Sequence, residues 1–294
     1  MIVAIASGKG GTGKTTVAVN LALSLPGPVR VLDCDVEAPN VHLFLKTDAV
    51  RTEQTGIPVP EVDPDRCNLC GECSRICQFH AIAVLGKTVS VFSELCHGCG
   101  GCTRICPEEA ITEVVRPIGV VEERRAGRRH LVLGKLDVGQ ALVPPLIRAV
   151  RSKSGTGETV LIDAPPGTSC AMIAAVRGAD FVILVTEPTP FGLNDLALAV
   201  ETVRVLGMPF GVIVNRAGSG DDRVHRYCAS EGIDLLLEIP DDRRVAEAYA
   251  RGSTLVESVP EMRPLFASLA HRIEAMAEGH RDHSNRNEAF YAHR

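Results

Sequence analysis

The sequence of 294 residues predicts an α/β fold, a mostly parallel sheet with helices on both faces. Three observations carry that prediction. Short, nearly continuous apolar runs alternate with amphipathic stretches, as happens when helices cover both faces of a sheet. The first run, MIVAIA, feeds a glycine-rich loop, SGKGGTGKTT (residues 7–16), and then a helical pattern. Two further runs, VRVLDCD from Val29 and TVLIDA from Thr159, carry aspartates at the C-terminal edge of such a sheet.

Taken in order, strands are expected at IVAIAS (from Ile2), VRVLDCD, TVLIDA, FVILVTE (from Phe181), FGVIVN (from Phe210) and LLLEIP (from Leu235). Helical patterns cover 14–25, 140–151, 168–177, 192–206, 221–231, 241–250 and 260–278. The rhythm breaks after about residue 57 and resumes near 117. Between them, 58–116 is cysteine-rich and internally repeated, so it is expected as an insertion within a host domain made of 1–57 and 117–279. The connection Thr52–Pro60 contains one glycine and two prolines and reads either as a stiff link or as a flexible tether. PIGVVEERRAGRRHLVLG (117–134) has the pattern of a β-hairpin turning at Ala126-Gly127. Its arginines 124, 125, 128 and 129 read as a solvated tip, with a docking patch as the alternative. A polar tail, 280–294, is expected to be disordered.

Composition narrows the function. The chain is 45% apolar and 23% charged and lacks tryptophan, as a globular protein can. A net charge of −5 disfavours a nucleic-acid binder. No apolar run approaches membrane-spanning length and no signal-peptide pattern precedes the first strand, so a cytoplasmic protein without a membrane partner is expected. In a reducing compartment eleven cysteines point to metal or cluster ligation, and eight of them lie between Cys67 and Cys106.

Gly8, Gly13, Lys14 and Thr15 satisfy G-x-x-x-x-G-K-[ST] between a strand and a helix. With Lys9, Gly10, Gly11, Thr12 and Thr16 they make a phosphate loop, whose backbone N–H groups and helix N-terminus face anionic oxygens. Lys14 is expected to reach the β- and γ-phosphates and the Thr15 hydroxyl to ligate Mg²⁺. Asp33, Asp35 and Asp163 read as a metal- and water-handling set, with Asp163 holding a Mg²⁺-bound water; taken singly, such aspartates are often helix caps.

Cys67-x₂-Cys70-x₂-Cys73-x₃-Cys77 returns 29 residues later as Cys96-x₂-Cys99-x₂-Cys102-x₃-Cys106-Pro107. This is the spacing of a bacterial two-cluster ferredoxin, in which each fourth cysteine serves the other cluster. It assigns Cys67, Cys70, Cys73 and Cys106 to one 4Fe–4S cluster and Cys96, Cys99, Cys102 and Cys77 to the second, within a small α+β ferredoxin insert. Arg75-Ile76 with Arg104-Ile105, and Ala81-Ile82 with Ala110-Ile111, extend the repeat beyond the cysteines. Gln78 departs from it, standing where proline is usual. Zinc is the alternative for paired C-x₂-C motifs. Cys34 and Cys228 read as core residues, and Cys170 as either packing or a reactive thiol near a helix N-terminus.

KGGTGKT, DCDVEAPN and DAPPGTS together resemble the MinD/ParA class of P-loop ATPases, which includes the nitrogenase iron protein. With the cysteine repeat, the chain resembles those members that carry an inserted ferredoxin domain. The resemblance covers most of 1–57 and 117–278 and implies ATP and Mg²⁺ as ligands, with a face-to-face homodimer forming on ATP. It implies that Lys9 contacts phosphates of the opposite subunit and that Asp35, in switch I, positions the attacking water. Asp163 through Gly167 become switch II, and Asn215, in VIVNR, becomes a base contact; from the residues alone Asn215 could equally be a turn residue. Cys170 matches the spacing of a cluster-ligating cysteine of the nitrogenase iron protein, without a counterpart of that protein's other cluster cysteine between 117 and 145. Three functions compete. The first couples ATP-driven dimer closure to electron transfer, with a redox protein as partner. The second is ATP-dependent assembly of an iron–sulfur cluster or metallocentre, with a cluster-accepting partner. The third is spatial positioning with structural clusters, which the tail and the net charge disfavour.

Overall fold

A mixed sheet of nine strands organises the chain. The computed structural model describes residues 1–291, with side chains described through residue 278. The first elements are β1 (Ile2–Ala6), α1 (Lys14–Ser24), β2 (Val29–Asp33) and a single turn, α2 (Val41–Phe44). A long β3 (Asp48–Val62) leads into α3 (Glu72–Ile76), the hairpin of β4 (Ile82–Leu85) and β5 (Thr88–Val91), and α4 (Gly101–Ile105). The chain returns through β6 (Ile111–Ala126) and β7 (Arg129–Leu136). Alternation then resumes with α5 (Pro144–Arg151), β8 (Thr159–Asp163), α6 (Cys170–Val176), β9 (Phe181–Thr186), α7 (Pro190–Val205) and β10 (Phe210–Ala217). The last elements are α8 (Arg223–Ser230), β11 (Leu235–Pro240), α9 (Arg243–Ala250), α10 (Leu255–Ser258) and α11 (Met262–Tyr291).

Strand order is β11-β10-β9-β1-β8-β2-β7-β6-β3. Pairs are parallel from β11 to β7, whereas β6 lies antiparallel to both β7 and β3. The pleat divides the core. Val3 and Ile5 of β1 are buried with α1 and α11 on one face, and Ala4 and Ala6 with residues of α5, α6 and α7 on the other. Covering both faces explains the continuous apolar runs.

The expected strands and helices of the host sheet are present, while the long ribbon departs from expectation. β3 was not anticipated: it is a polar edge strand carrying Pro58 and Pro60. Both prolines fall two apart, so their missing N–H groups share one edge, where a sheet tolerates proline. Thr52 to Pro60 is therefore not a flexible tether; it pairs with β6 from Glu122 to Glu113. Only Gly119–Ala126 of β6 also pairs with β7, so the remainder of β3 and β6 leaves the sheet as a two-stranded ribbon carrying 63–110. β3 runs in the direction of β2, so the ribbon rises from the edge where the phosphate loop opens.

The β6–β7 hairpin turns at Gly127-Arg128, one residue later than expected, with Ala126 opposite Arg129. A two-residue turn takes a positive φ at its first central position, which Gly127 supplies at 57°. Its four arginines divide. Arg125 and Arg128 are exposed, as a solvated tip requires, whereas Arg129 donates to the carbonyls of Leu25 and Gly27 at 2.9 Å, and Arg124 donates to Thr47 Oγ1 at 3.2 Å and pairs with Glu122. The final helix continues to Tyr291, into the stretch expected to be disordered; 292–294 lie outside the described residues.

Candidate functional site

The phosphate loop joins β1 to α1 with Gly11 and Gly13 at φ 78° and 97°. Side-chain-free residues are required there, since L residues strongly disfavour such angles. Space also excludes larger residues: a Cβ on Gly8 would lie 2.0 Å from the Asp195 carbonyl oxygen, and one on Gly13 would lie 2.4 Å from Asn215 Nδ2. Gly10, Gly11, Gly13, Lys14, Thr15, Thr16, Asp35 and Asn215 line one cavity of about 430 Å³. Thr12 of the same loop is buried, its hydroxyl without a hydrogen-bond partner among the described residues. Gly167, at φ 91°, donates to the Ser7 carbonyl at 2.9 Å, tying the segment after β8 to the loop.

Burial governs the charges. Lys14 is 6% exposed, and loss of solvent lowers its pKa, an effect opposed by Asp163 and Asp35. Asp163 is 1% exposed and burial pushes its pKa up to about 7, although the Thr15 hydroxyl donates to its Oδ2 at 2.6 Å. Among the described residues its Oδ1 has no hydrogen-bond partner. A buried carboxylate oxygen left unpaired beside a hydroxyl suits a divalent cation or its bound water. Asp35, half-buried on the cavity wall, has its pKa raised by burial against the pull of Lys14.

Asp33 serves the local backbone. It is fully buried and its Oδ2 accepts from the backbone N–H groups of Asn40 and Val41, at 2.9 and 3.0 Å. Burial, then Asp163, raise its pKa well above the ordinary carboxylate value. These bonds tie the 35–41 loop to the end of β2, the capping role open to any strand-end aspartate, and like Asp163 it sits behind the cavity lining. Asn215 donates to the Thr12 carbonyl at 2.8 Å, bracing the loop while lining the cavity. Lys9 does not line the cavity; its Nζ lies 3.1 Å from Glu187 Oε2. Cys170 is exposed at the start of α6 and stands apart from the other cysteines.

A further wall of the cavity was missed by sequence reasoning. It comprises Arg216, Pro240, Asp241, Asp242, Val245 and Tyr249, with the Tyr249 ring 4.8 Å from that of Phe44. The available signal was positional: IPDD spans the end of the last strand, at the ligand-binding edge.

In the 63–110 module the cysteines divide between two cradles. The outer is lined by Cys67, Cys70, Cys73 and Cys106, and the inner by Cys77, Cys96, Cys99 and Cys102. Backbone N–H groups point at three sulfurs: Ala81 to Cys77 at 3.3 Å, Ala110 to Cys106 at 3.3 Å and Gly98 to Cys96 at 3.4 Å. Among the described residues no three Cys, His, Asp or Glu side chains converge on a single-ion site. A four-iron cubane asks for something else, one thiolate per iron and sulfurs set around a cage. The repeat extends to the backbone: Leu69, Gly71 and His80 have φ of 61°, 78° and 51°, and their equivalents Gly98, Gly100 and Glu109 have 66°, 69° and 47°.

Comparison with known proteins follows this geometry. Two uncharacterized proteins of Methanocaldococcus jannaschii are similar to the chain, one 29% identical over 87% of this chain and 92% of its own length, the other 35% identical over 74% and 79%. An iron–sulfur cluster carrier protein of Pyrococcus horikoshii is 26% identical over 92% of this chain and 84% of its own length. The solved septum site-determining protein MinD complexed with Mg-ADP, from Pyrococcus horikoshii, shares the fold, with a TM-score of 0.59 at 23% identity over 95% of this chain and 98% of that one. Among the described residues no helix is long and apolar enough to cross a membrane. Residues 3–256 match the model of the CobQ/CobB/MinD/ParA nucleotide binding domain, so the chain belongs to that family.

Proposed function

We propose that this protein is a Mg²⁺-dependent ATPase in which nucleotide-driven closure of a homodimer is coupled to electron transfer through two 4Fe–4S clusters. The observation that carries the redox half is the division of cysteines: each cradle is lined by the set that crossed ligation requires. The N–H groups aimed at sulfur suit thiolates, which accept such bonds when they bind iron. Bound clusters would supply one-electron storage. On this reading 58–116 is a ferredoxin domain inserted into an ATPase domain of 1–57 and 117–279.

The chain's own groups divide the work. The loop amides and Lys14 bind the phosphates, and Thr15 with Asp163 would hold Mg²⁺. Asp35 orients the attacking water, and Asn215 braces the loop and contacts the base. Lys9 acts in the opposite subunit. Coupling has a physical path. Val36, next to Asp35, gives its carbonyl to the Leu136 N–H at 2.9 Å and packs in one core with Ile57, Val59, Ala81 and Cys96. This continuous core is the route by which a shift of the Asp35 loop would reach Ala81 and Cys96 of the inner cradle.

The test is anaerobic potentiometry with and without Mg²⁺ and adenylyl imidodiphosphate. At least one cluster potential is expected to shift, and oxidation state must then change nucleotide affinity by the same coupling energy. Unchanged potentials and affinities would overturn the coupling. Lys14→Ala should weaken nucleotide binding, whereas Asp35→Ala should bind ATP and turn over slowly. A second reading, ATP-dependent delivery of clusters, is favoured by the cluster carrier proteins of Pyrococcus horikoshii and Aquifex aeolicus, similar at 26% and 27% identity. Incubation with an apo-ferredoxin separates the two: cargo leaves this chain, whereas a resident relay stays.

A further inference from the structure

We propose that Glu187 and Arg216 are positioning residues for the lysine that crosses between subunits: Glu187 docks Lys9 within its own chain, and Arg216 keeps that carboxylate paired when Lys9 leaves. The proposal rests on the dimer reading above and concerns how one chain prepares for it. Glu187 follows β9 and its side chain is only 9% exposed. Each of its oxygens carries a separate cation, Lys9 Nζ on Oε2 at 3.1 Å and Arg216 Nη1 on Oε1 at 3.0 Å. One cation comes from the phosphate loop and the other from the cavity wall that also holds Pro240 and Asp241.

Arg216 is held there by unusual backbone. Its φ is 54°, a left-handed value uncommon for a residue with a side chain, and its N–H donates to Asn215 Oδ1 at 3.0 Å. The same Asn215 donates to the Thr12 carbonyl, so the arginine is indexed to the phosphate loop itself.

The charge arrangement sets the consequence. Leaving a nearly buried carboxylate without a partner is strongly unfavourable, whereas a carboxylate shared by two cations can lose one and stay neutralised. Lys9, a compact ammonium on a flexible stem, is the cation able to leave, while the arginine fork stays. Its departure also relieves repulsion between two like charges on one anion. Without Arg216, Lys9 would be the sole charged partner of Glu187 among the described residues and would be retained in its own subunit.

Sedimentation velocity of the full chain with Mg²⁺ and adenylyl imidodiphosphate tests this. Arg216→Met should raise the protein concentration needed for half-dimerisation roughly tenfold, the scale of coupling between contacting residues. Arg216→Lys should restore it. Glu187→Gln should lower that concentration below wild type, since nothing charged then retains Lys9. The double variant, Glu187→Gln with Arg216→Met, should dimerise at least as well as wild type. Because Arg216 lines the cavity, the double variant is decisive: a defect that persists in it places Arg216 on the nucleotide and overturns the proposal. Wild-type behaviour of Arg216→Met overturns it too. Lys9→Ala dimerising like wild type would instead remove the dimer reading on which the proposal stands.

Discussion

The two cysteine cradles share a sequence repeat and a backbone, yet they are walled differently. The inner cradle lies against the ribbon at Pro58 and Pro60, and its Cys96 belongs to the same core as Val36, Ile118 and Leu146 of the sheet domain. A small separate core of Cys73, Ile82 and Ile111 lies between the two, Cys73 and Ile111 lining the outer cradle and Ile82 the inner, and the outer cradle has no cysteine in the sheet domain's core. Their equivalent cover positions also differ. Beside the inner cradle Phe79 stacks on His97, ring centroids 3.6 Å apart; 29 residues on or back, the same pair of positions is Glu108 and Asn68, joined by a 2.9 Å hydrogen bond. Duplication thus supplies two cysteine sets, while neighbours give the inner one an apolar cover and a place against the sheet domain's core and the outer one a polar cover further from it.

The largest effect expected separates the cradles by their fourth ligands. Anaerobic wild-type protein should contain about eight irons per chain, and either Cys106→Ser or Cys77→Ser should reduce this to about four. Cys106→Ser should cost the outer cluster and leave the sheet domain's thermal midpoint nearly unchanged. Cys77→Ser should cost the inner cluster and lower that midpoint, because its cradle shares the host core. Zinc instead of iron, or loss of the cluster in the residue's own repeat, would break the assignment.

Next in size is the cost of exchanging the two cradles' first turns. Leu69 adopts φ 61° while its counterpart Gly98 adopts 66°. A side chain in this region costs about 1–2 kcal/mol. At Gly98 there is a further obstacle: a Cβ would meet the Pro58 carbonyl oxygen at 3.1 Å and its ring at 3.2 Å. Gly98→Ala should therefore lower the anaerobic thermal midpoint. Leu69→Gly should be near neutral, as relief of strain offsets the roughly 0.5–1 kcal/mol entropic cost of glycine. Equal losses at both positions would mean that the ribbon does not set the inner cradle.

These differences mark where sequence reading stops. The phosphate loop and cysteine repeat were legible because their chemistry is local: glycines, cations and thiols at fixed offsets in the chain. The ribbon was not. DAVRTEQTGIPVPEV lacks a continuous apolar run because β3 is an edge strand, and its pairing with β6 joins residues such as Asp48 and Arg125 far apart in sequence. Asp33 carried the same local signature as Asp35, and only the fold turns one into the 35–41 loop and the other towards Lys14. Glu187 had no motif at all, since its meaning comes from two cations contributed by distant segments.

A smaller effect tests the apolar cover. Phe79→Ala removes the ring stacked on His97 and opens the inner cradle to water and oxygen. Its cluster should bleach several-fold faster in air, followed by visible absorbance, with the outer cluster's rate unchanged. Equal acceleration of both would show that Phe79 guards the module as a whole.

The smallest expected effect lies at the equivalent outer position. Glu108 accepts from Asn68 Nδ2 through Oε1, and Arg66 donates to the Glu108 backbone carbonyl at 2.9 Å, so the side chain is held beside the outer cradle. In Glu108→Gln the side-chain carbonyl can still accept the Asn68 bond, so geometry is kept while one negative charge is removed. Reduction adds an electron to the cluster, and a nearby anion opposes it. The outer potential should therefore rise in the variant, on the order of tens of millivolts, within the range that charge and hydrogen bonding tune. The shift should shrink in high salt, because the glutamate is solvent-exposed and screened. The inner potential should stay put, since Phe79 holds the equivalent place there and carries no charge. Spectropotentiometry of the two clusters decides the matter: equal shifts at both, or none at either, would mean that the polar and apolar covers leave the electrostatics of the two cradles alike.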